Sequence, residues 1–243
     1  MSLVNLPYDK IYRKGFSVNK SGKENIFEQL AVLSDANAIE WISKKTEPLV
    51  KLMSYYKCAM MEIETKLKVL NEEYSLEFDH NPISSIKARL KTMQSIMDKL
   101  TRKNLPHSVE SIEENLNDVA GLRVICAFPE DVYKVAEALL KQDDISLIRM
   151  KDYIKNPKPN GYRSLHIIVA IPIFLAHEKR TMKVEIQLRT IAMDFWATLE
   201  HQLRYKKDAE FTEETANELY ECAQLSAALD LRMEAVRKKV MPE

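Results

Sequence analysis

The sequence predicts an α/β protein with a core of four or five strands and helices before and after that core. Three observations support this fold class. Apolar residues recur at three- and four-residue steps on both sides of the centre of the chain, which is typical of amphipathic helices. Short runs rich in β-branched residues fill the centre and favour buried strands. Only four glycines occur, as expected of a helix-rich chain.

The first part of the chain is predicted to be helical. From about residue 37 to residue 74 one apolar stripe repeats, formed by Leu49, Leu52, Tyr56, Met60, Ile63, Leu67, Leu70 and Tyr74. Pro48 is expected in a first turn or at a kink, so this segment is either one helix or two. Residues 79–82 predict a break. A further helix is expected over residues 84–103.

Four strands are expected in the centre of the chain, with helices between and after them. Their sequences are, in chain order, LRVICAF, ISLIRMKDYI, RSLHIIVAIPIF and TMKVEIQLR. Pro172 is expected to end the third strand, because proline cannot donate a ladder hydrogen bond. Helices are predicted over residues 130–141, 190–207 and 212–239. The last begins with acidic and ends with basic residues, which matches the helix macrodipole.

Composition excludes several classes of protein. Lys plus Arg and Asp plus Glu both number 36, so no global charge attracts nucleic acid or acidic lipid. No segment has the ~20 apolar residues that a membrane span needs. Residues 1–36 lack an apolar signal-peptide core and are predicted to be a flexible tail. The scattered cysteines, Cys58, Cys126 and Cys222, indicate a reduced, cytoplasmic protein.

Five polar side chains around the predicted helix 84–103 mark a candidate phosphate site. Lys91, Ser95, Lys99 and Arg102 lie at steps of four, four and three residues and therefore share a helix face, with Arg89 nearby. Several cations that point in one direction repel one another unless an anion joins them. The face is therefore either a solvated basic surface or a binding surface for phosphates.

The first predicted strand contains an arginine, Arg123, within an apolar run, and Asp118 lies at its start. A buried charge is costly unless it is paired. Strict alternation places the two side chains on opposite faces, but a bulge at Gly121 would bring both to one site. A structural Asp–Arg ion pair and a functional site both stay open.

The segment KDYIKNPKPNGYRSLH contains a rigid loop followed by a strand. In its Pro-Lys-Pro-Asn-Gly run, Gly161 is expected to supply a backbone conformation that other residues avoid. Tyr162 and His166 are expected on one face of the strand. With Lys158 and Asn160 nearby, this ring could grip a nucleotide, the ring on the base and the lysine on a phosphate. A half-buried strand tyrosine and a core histidine are the alternatives.

The fourth predicted strand alternates between apolar and polar residues, which indicates that one face of the sheet is polar. The residues of that face are Lys183, Glu185, Gln187 and Arg189. Glu185 and Asp118 form a candidate ligand pair for Mg²⁺, which favours one or two carboxylates and substrate phosphates. An ordinary charge ladder is the alternative. The chain has neither a glycine-rich phosphate loop nor a zinc-ligand spacing, so side chains would hold any phosphates.

Four motifs in the same order resemble the synthetase domain of the RelA/SpoT family. They are the basic pattern R-x-K-x-x-x-S-I-x-x-K-L-x-R-K, then DVAGLRVI, DYIKNPKPNGYRSLH and EIQLRTIAMDFWATLEH. The resemblance covers about residues 73–207. The chain looks like a small alarmone synthetase, closer to the RelP type than to the RelQ type. None of its five histidines precedes an aspartate, so the hydrolase metal site of the family is missing and only synthesis is expected.

The resemblance implies a reaction and a fold. Members transfer the β,γ-pyrophosphate of ATP to the 3′-hydroxyl of GDP or GTP, release AMP and act in the stringent response. Their fold is a mixed sheet of about five strands, related to nucleotidyltransferases and assembled as a homotetramer. The synthetase domain is then expected over residues 37–207 and an oligomerisation helix over residues 208–243. A stripe on that helix would pack between subunits or within the chain, namely Cys222, Leu225, Leu229, Met233, Val236 and Val240.

The same resemblance implies roles for individual residues. Asp118 and Glu185 match the catalytic acidic pair that holds Mg²⁺, and Glu185 is expected to help deprotonate the ribose 3′-hydroxyl. The positions that match the ATP site are Arg89, Lys91, Ser95, Lys99, Arg102 and Arg123. The positions that match the GDP or GTP site are Lys151, Lys158, Asn160, Tyr162, His166 and Gln187, with Tyr162 stacked on guanine.

Two other functions stay open from the sequence. One is a related nucleotidyltransferase that modifies another acceptor, such as an adenosine nucleotide. The other is a non-catalytic RNA-binding regulator on the same fold, although the neutral net charge gives RNA binding no electrostatic support. The intact pair of Asp118 and Glu185 favours an enzyme.

Overall fold

The computed structural model of this protein of 243 residues describes residues 35–77, 81–205 and 211–241. Side chains are described for residues 46–76, 81–204 and 211–241. The described residues from Pro48 onward form one compact unit, to which residues 35–47 do not belong. Of the tail predicted for residues 1–36, residues 1–34 lie outside the described residues. The domain boundary predicted after residue 207 stays a prediction.

The described residues contain six helices and five strands. The helices are α1 (Asp35–Glu77), α2 (Met93–Arg102), α3 (Val109–Asn115), α4 (Pro129–Leu140), α5 (Ile191–Tyr205) and α6 (Glu213–Val240). The strands are β1 (Ile83–Leu90), β2 (Ala120–Cys126), β3 (Ser146–Asp152), β4 (Leu165–Phe174) and β5 (Lys179–Thr190). Within these ranges no helix is long and apolar enough to cross a membrane.

The strands form one five-stranded sheet in the order β1-β2-β5-β4-β3. Strands β2 and β5 are parallel, and the other neighbours are antiparallel. The parallel pair places Gly121 beside Glu185 and Arg123 beside Gln187. Because paired residues of adjacent strands share a face, these polar side chains lie on one side of the sheet. The predicted α/β class and mixed sheet are confirmed.

The opposite face of the sheet is apolar and buried. Val184, Ile186 and Leu188 of β5 are each 0% exposed, and they share a core with Leu52 and Ile63 of α1. The apolar stripe predicted for α1 is therefore confirmed. Each such side chain contributes about 1.5–3 kcal/mol by burial. With one face fixed in the core, a slip of one residue would expose that face, so the register of the polar face is fixed as well.

The helix predicted over residues 84–103 is wrong in its first half. Its first residues belong to β1, which pairs antiparallel with β2, and α2 follows with Thr92 as its N-cap. Ile86 and Leu90 are four residues apart, which fits one helical turn but also two steps of a strand. The ladder with β2 supplies the backbone hydrogen bonds that favour the strand.

Two prolines lie inside elements instead of bounding them. Pro172 does not end β4, because the strand continues to Phe174 and pairs Pro172 with Thr181. Strand β3 pairs with β4 only as far as Ala170, so beyond that point β4 has a neighbour on one side only. Such an edge tolerates a residue without an N–H group. Pro48 lies within α1, so this segment is one helix.

Helix α6 forms as predicted, and Thr212 caps it by accepting a hydrogen bond from the N–H of Thr215 at 3.2 Å. The stripe expected at a contact lies on its exposed side and does not pack within the described chain. Its members are Cys222, Leu225, Leu229, Met233, Val236 and Val240. The cysteines predicted to be reduced, Cys58, Cys126 and Cys222, are all free.

Candidate active site

Two carboxylates reach the polar face of the sheet from different elements. Asp118 lies in the loop before β2. Next to it the backbone N–H of Lys91 donates to the carbonyl of Val119 at 2.8 Å, which holds the end of β1 beside this loop. Glu185 lies within β5 and pairs with Gly121 of β2. The antiparallel and parallel ladders thus bring together residues that are far apart in the sequence.

Two lysines hold the Asp118 carboxylate. Its Oδ2 accepts hydrogen bonds from Lys91 Nζ at 3.0 Å and from Lys99 Nζ at 2.6 Å. Burial by itself would raise the pKa of Asp118, but the bonds and charges of Lys99 and Lys91 outweigh it and hold the pKa below its ordinary value. Its Oδ1 is buried and has no hydrogen-bond partner in the described chain. One oxygen of an ionised carboxylate therefore remains to bind a ligand.

Glu185 is held from two sides. Its Oε2 accepts a hydrogen bond from Gln187 Nε2 at 3.0 Å, and its Oε1 lies 3.5 Å from Nδ1 of His166. Burial would raise the pKa of Glu185, and the charge of Asp118 adds to that effect. The contacts with His166 and Gln187 outweigh both, so the pKa lies below its ordinary value. Both acids are thus ionised at neutral pH and repel each other unless a cation joins them.

The first of two cavities on this face, the β1–β2 cavity, has a volume of about 390 Å³. Lys87, Arg89 and Lys91 line it at two-residue steps, and Arg123 of β2 adds a fourth cation. The two carboxylates line the same cavity. Four cations against two acids leave an excess of positive charge, which suits a polyphosphate.

Gly121 leaves room in the β1–β2 cavity. It pairs regularly with Arg89 and Glu185, and its φ is not positive. A Cβ at this position would lie 3.7 Å from the carbonyl oxygen of Arg89, an ordinary contact. What the glycine provides is open space between the arginine and the glutamate, where a ligand can approach the backbone.

Asp118 and Arg123 reach the site without the predicted bulge at Gly121. The irregularity in the β1–β2 ladder lies between Ile83 and Ser85 instead. Asp118 is free of the strand alternation because it precedes β2. The two residues do not form the alternative ion pair either, since Asp118 pairs with lysines and Arg123 NH1 lies 3.2 Å from Asp194.

The second cavity, the β3–β4 cavity, has a volume of about 250 Å³. Arg149 and Lys151 of β3 and Lys158 of the following loop contribute its cations, and His166 of β4 lines it as well. Glu185 also belongs to this lining. The glutamate is therefore common to both cavities.

The Tyr162 ring stands in a cluster of aromatic and cationic side chains beside the β3–β4 cavity. Its hydroxyl accepts a hydrogen bond from an Arg189 NH2 group at 2.7 Å and lies 2.8 Å from Nε2 of His166. Lys158 Nζ lies 4.7 Å from the centre of the Tyr162 ring and 4.8 Å from that of Tyr153. Such cation–ring contacts are favourable. One cluster thus offers a ring for stacking and a lysine for an anion.

Two arginines, Arg123 and Arg189, both form ion pairs with Asp194 of α5. Asp194 Oδ1 lies 3.2 Å from Arg123 NH1 and 3.1 Å from Arg189 NH1. Burial and the charge of Arg189 lower the pKa of Arg123, while Asp194 opposes them. Arg189 also donates to Oε1 of Gln187 at 2.9 Å. A single carboxylate cannot balance two arginines, so a phosphate at Arg123 would relieve their repulsion.

Comparison with known proteins identifies the family. Residues 88–210 match the family model described as a region found in RelA / SpoT proteins. The GTP pyrophosphokinase YwaC of Bacillus subtilis is 42% identical over 185 residues, which cover 76% of this chain and 88% of that protein. The chain belongs to the RelA/SpoT family.

Solved structures from this family share the fold. The small alarmone synthetase 2 of Bacillus subtilis has a TM-score of 0.70 and 40% identity, covering 77% of this chain and 97% of that one. The small alarmone synthetase 1 of the same organism, bound to its product pppGpp, has a TM-score of 0.70 and 37% identity, covering 76% and 94%. The resemblance to small alarmone synthetases is confirmed. The distinction between the RelP and RelQ types stays a prediction.

Most site residues predicted from the RelA/SpoT resemblance meet at the two cavities. Those that line a cavity are Arg89, Lys91, Asp118, Arg123, Lys151, Lys158, His166, Glu185 and Gln187. Lys99 reaches the site through its bond to Asp118, and Tyr162 through its bond to His166.

Three predicted residues neither line a cavity nor bond to a described residue that does. Ser95 bonds within the N-cap of α2, and Arg102 is exposed in the last turn of that helix. Asn160 shapes its own loop, because its Oδ1 accepts a hydrogen bond from the N–H of Tyr162 at 3.2 Å while its Nδ2 donates to Glu200 at 3.3 Å. Roles for these three residues at a nucleotide stay predictions.

Three charged or aromatic residues of the cavity linings were not found from the sequence. They are Lys87, Arg149 and Tyr153. Each lies two residues from a predicted one, Lys87 from Arg89 and the other two from Lys151, which is the spacing of one strand face. The helix predicted over residues 84–103 concealed Lys87, because it replaced that two-residue spacing by a helical one.

The acidic pair of this RelA/SpoT protein fits a magnesium ion. Oδ1 of Asp118 is a buried acceptor without a partner, and Glu185 is an ionised carboxylate on the same cavity. Mg²⁺ in nucleotide sites binds through one or two carboxylates together with substrate phosphates. Within the described residues, no group of three or more His, Cys, Asp or Glu side chains is arranged to hold a metal.

Proposed function

We propose that this chain is a GTP pyrophosphokinase that makes (p)ppGpp in the stringent response, by synthesis only. It transfers the β,γ-pyrophosphate of ATP to the 3′-hydroxyl of GDP or GTP and releases AMP. The observation that carries the proposal is Glu185, which lines both cationic cavities. Transfer between two nucleotides needs two binding sites that meet at the reacting atoms. The names of the similar proteins, a GTP pyrophosphokinase and a pppGpp-bound synthetase, support it.

The β1–β2 cavity is the proposed ATP site. Arg89, Lys91 and Arg123 line it and would contact the phosphates, with Lys87 as a further cation. Ser95, Lys99 and Arg102, the remaining predicted ATP residues, lie on α2 directly after β1. Lys99 reaches Asp118 from there at 2.6 Å, so α2 adds charge behind the acid.

The β3–β4 cavity is the proposed acceptor site. Guanine stacks on Tyr162, and Lys151 and Lys158 bind the phosphates of GDP or GTP, while Asn160 and His166 complete the site. Gln187 lines the β1–β2 cavity and reaches the acceptor side through its hydrogen bond to Glu185. Lys158 Nζ lies 4.7 Å from the centre of the Tyr162 ring, so one segment supplies both the ring for the base and a cation for the acceptor phosphates.

The proposed reaction takes place beside Glu185, where the two cavities meet. The 3′-oxygen of the acceptor forms a bond to the β-phosphorus of ATP, and the bond from that phosphorus to the oxygen bridging to the α-phosphate breaks. AMP leaves with the bridging oxygen. Glu185, ionised because of its lowered pKa, accepts the hydroxyl proton. Arg89, Lys91 and Arg123 neutralise the charge that develops on the transferred group.

Asp118 and Glu185 are the residues that would hold Mg²⁺ together with the phosphates of ATP. When bound, the ion supplies positive charge that polarises phosphate oxygens. Lys91 and Lys99 keep Asp118 ionised by their hydrogen bonds to Oδ2, which leaves Oδ1 for the ion.

We propose that the protein is a cytoplasmic homotetramer and that α6 forms the contacts between its subunits. The exposed apolar stripe of α6 supports this, since Leu225 and Val240 are each 70% exposed and such patches mark interaction surfaces. ATP and GTP are cytoplasmic substrates, and the three thiols are free. Sedimentation equilibrium should give the mass of four chains, whereas a monomer at micromolar concentration would contradict the assembly.

The direct test of function follows a labelled phosphate. The chain is incubated with ATP labelled at the γ-phosphate, GDP and Mg²⁺, and the nucleotides are separated. The label should move to guanosine tetraphosphate while an equal amount of AMP appears. ADP in place of GDP tests the alternative acceptor and should give no product. If the label stays in ATP under all conditions, a non-catalytic regulator on this fold replaces the proposal.

A further inference from the structure

The loop of residues 158–163 carries the acceptor-site tyrosine and turns sharply. The N–H of Gly161 donates to the carbonyl of Lys158 at 2.8 Å, and the N–H of Tyr162 donates to Oδ1 of Asn160 at 3.2 Å. Gly161 has a φ of +86°, in the region that favours glycine. These local bonds fix the shape of the loop, but other contacts have to fix where the loop sits on the protein.

Helix α6 lies directly against this loop. A Cβ on Gly161 would lie 2.5 Å from the Cβ of Ala223 and 3.4 Å from a ring carbon of Tyr220. Ala223 is 3% exposed, and its carbonyl accepts a hydrogen bond from Arg163 NH1 at 3.1 Å. The loop and the helix thus touch where neither has room for a larger side chain.

The Tyr162 ring packs at the same place. It lies against a small apolar cluster formed by Trp196, Ala197 and Ala223, which is separate from the main core. Trp196 Nε1 donates to the carbonyl of Leu219 at 2.7 Å and joins α5 to α6. The two helices therefore form a platform behind the ring that is proposed to stack on guanine.

This platform is anchored next to the active site. At the end of β5, Thr190 Oγ1 donates to Oδ2 of Asp230 on α6 at 2.6 Å. Ser226 Oγ of α6 donates to the carbonyl of Ala192 on α5 at 3.0 Å. A close-packed, hydrogen-bonded support transmits a change of volume to its neighbours and does not absorb it.

We propose that Ala223 is a positioning residue for the acceptor nucleotide. Its small side chain sets how far the loop brings Tyr162 and Lys158 towards the β3–β4 cavity. A larger residue displaces Gly161 and with it the ring, whereas glycine at position 223 leaves the loop without support. Helix α6 lines neither cavity, but the loop that it supports contributes Lys158 to the β3–β4 cavity and no residue to the β1–β2 cavity, so the effect falls on the acceptor. This inference rests on the proposed function.

The test is steady-state kinetics with ATP and GDP varied separately, comparing the wild type with Ala223→Leu and Ala223→Gly. For Ala223→Leu the KM for GDP should rise roughly tenfold, because a displaced ring loses most of a stacking contact. For Ala223→Gly we expect a smaller rise in the same KM. The KM for ATP and the kcat at saturating GDP should change by less than about twofold, since the phosphates of ATP are held by the sheet.

The matched control is Ala228→Leu, the same substitution at an exposed position of α6. It adds the same volume to the same helix but touches nothing in the acceptor loop, so both KM values should stay at the wild-type level. Circular dichroism and a thermal melt of each variant check that the fold is kept. If Ala223→Leu does not fold, Ala223→Gly and the double variant described next decide the question.

A double variant tests the contact itself. Gly161→Ala should raise the KM for GDP, because its new methyl group meets Ala223 and its φ is unfavourable for alanine. Adding Ala223→Gly removes the opposing methyl and should recover part of that loss. Residues in contact show such non-additive effects, whereas independent residues do not.

Two results would overturn the proposal. One is an equal rise in the KM values for ATP and GDP in Ala223→Leu, and the other is strict additivity of Gly161→Ala and Ala223→Gly. Wild-type turnover reports separately on the proposed function. Should the wild type make no product, the affinity for a fluorescent GDP analogue, measured by anisotropy in the same variants, tests the positioning role alone.

Discussion

The two cavities that meet at Glu185 are built in different ways. The cations of the β1–β2 cavity lie along paired strands, where Lys87 and Arg89 occupy alternate positions of β1. The β3–β4 cavity takes Lys158 from a loop and has Tyr162 beside it, and only its two other cations come from a strand, β3, which like β1 lies at an edge of the sheet. The sheet itself therefore holds the donor site, while the acceptor site depends on a loop and on the helices behind it.

This difference determines how each site can fail. A residue on a paired strand keeps its place when a neighbour is changed, because the backbone ladder fixes it. A residue on a loop keeps its place only while the contacts beneath the loop are intact. Substitutions at the donor site should therefore remove single charges, and those near the acceptor site should also act through position, as proposed for Ala223.

The largest effect is expected where the two sites meet. Glu185→Gln keeps the size of the side chain but removes the charge that receives the hydroxyl proton and helps hold Mg²⁺. We expect kcat to fall by about 10²–10⁴-fold or more, with little change in thermal stability. Product formation from labelled ATP and a thermal melt measure the two quantities. Because both sites share this residue, its loss does not distinguish donor from acceptor.

A control for Glu185→Gln is the same change at Glu137, an exposed residue of α4 that pairs with Lys141 at 2.8 Å. Exposed pairs of this kind contribute about 0–1 kcal/mol, so activity should be unchanged. Wild-type turnover in Glu185→Gln would show that Glu185 takes no part in the chemistry. It would also contradict the account of two nucleotide sites that meet at this residue.

A smaller effect, confined to the acceptor, is expected at Tyr162. Replacing an aromatic ring that stacks on a base by alanine costs about 1–3 kcal/mol. For Tyr162→Ala the KM for GDP should therefore rise roughly 5- to 150-fold, with the KM for ATP nearly constant. Tyr162→Phe is the control, because it keeps the ring and loses only the hydroxyl contacts with His166 and Arg189. A tenfold rise in the KM for ATP would contradict the assignment of this ring.

The smallest effect concerns stability on the donor side. The lowered pKa of Asp118 means that its ionised form stabilises the fold, fully above its ordinary pKa of 3.8 and less as the pH falls through the lowered value. Asp118→Asn leaves Lys91 and Lys99 without this partner. We expect it to lower the free energy of unfolding by about 1–3 kcal/mol at neutral pH.

Urea denaturation of the wild type and Asp118→Asn at several pH values measures this contribution. The difference between the two proteins should shrink as the pH falls below the ordinary pKa of 3.8. A difference in the free energy of unfolding that is the same at neutral and at strongly acidic pH would show that the lysine contacts of Asp118 do not stabilise the fold.

The sequence predicted the local structure beside the β3–β4 cavity better than that beside the β1–β2 cavity. The Pro-Lys-Pro-Asn-Gly run is a strong local signal, and Gly161 has the positive φ that was expected of it. The polar alternation around Glu185 was equally clear. For Ile86 and Leu90, however, the four-residue spacing fits two structures, and only the long-range ladder with β2 decides between them. Local patterns contain no information about such pairing.

Contacts between residues that are far apart in the sequence could not be predicted from it either. Asp118 was expected to need a bulge at Gly121, whereas its place in the loop before β2 suffices. The contact of Gly161 with Ala223 joins residues 62 positions apart in a manner that no spacing rule anticipates. Lys87 and Arg149 would have been found from alternation once their strands were known.

The most direct test of the two-cavity account is the effect of Lys87→Ala and Arg149→Ala on the KM values for ATP and GDP. Lys87 lines only the β1–β2 cavity and Arg149 only the β3–β4 cavity. Loss of one charge at a phosphate should raise one KM by about three- to tenfold. The account predicts that Lys87→Ala raises the KM for ATP alone and Arg149→Ala the KM for GDP alone. If either variant raises both KM values equally, or the pattern is reversed, the assignment of the two cavities is wrong.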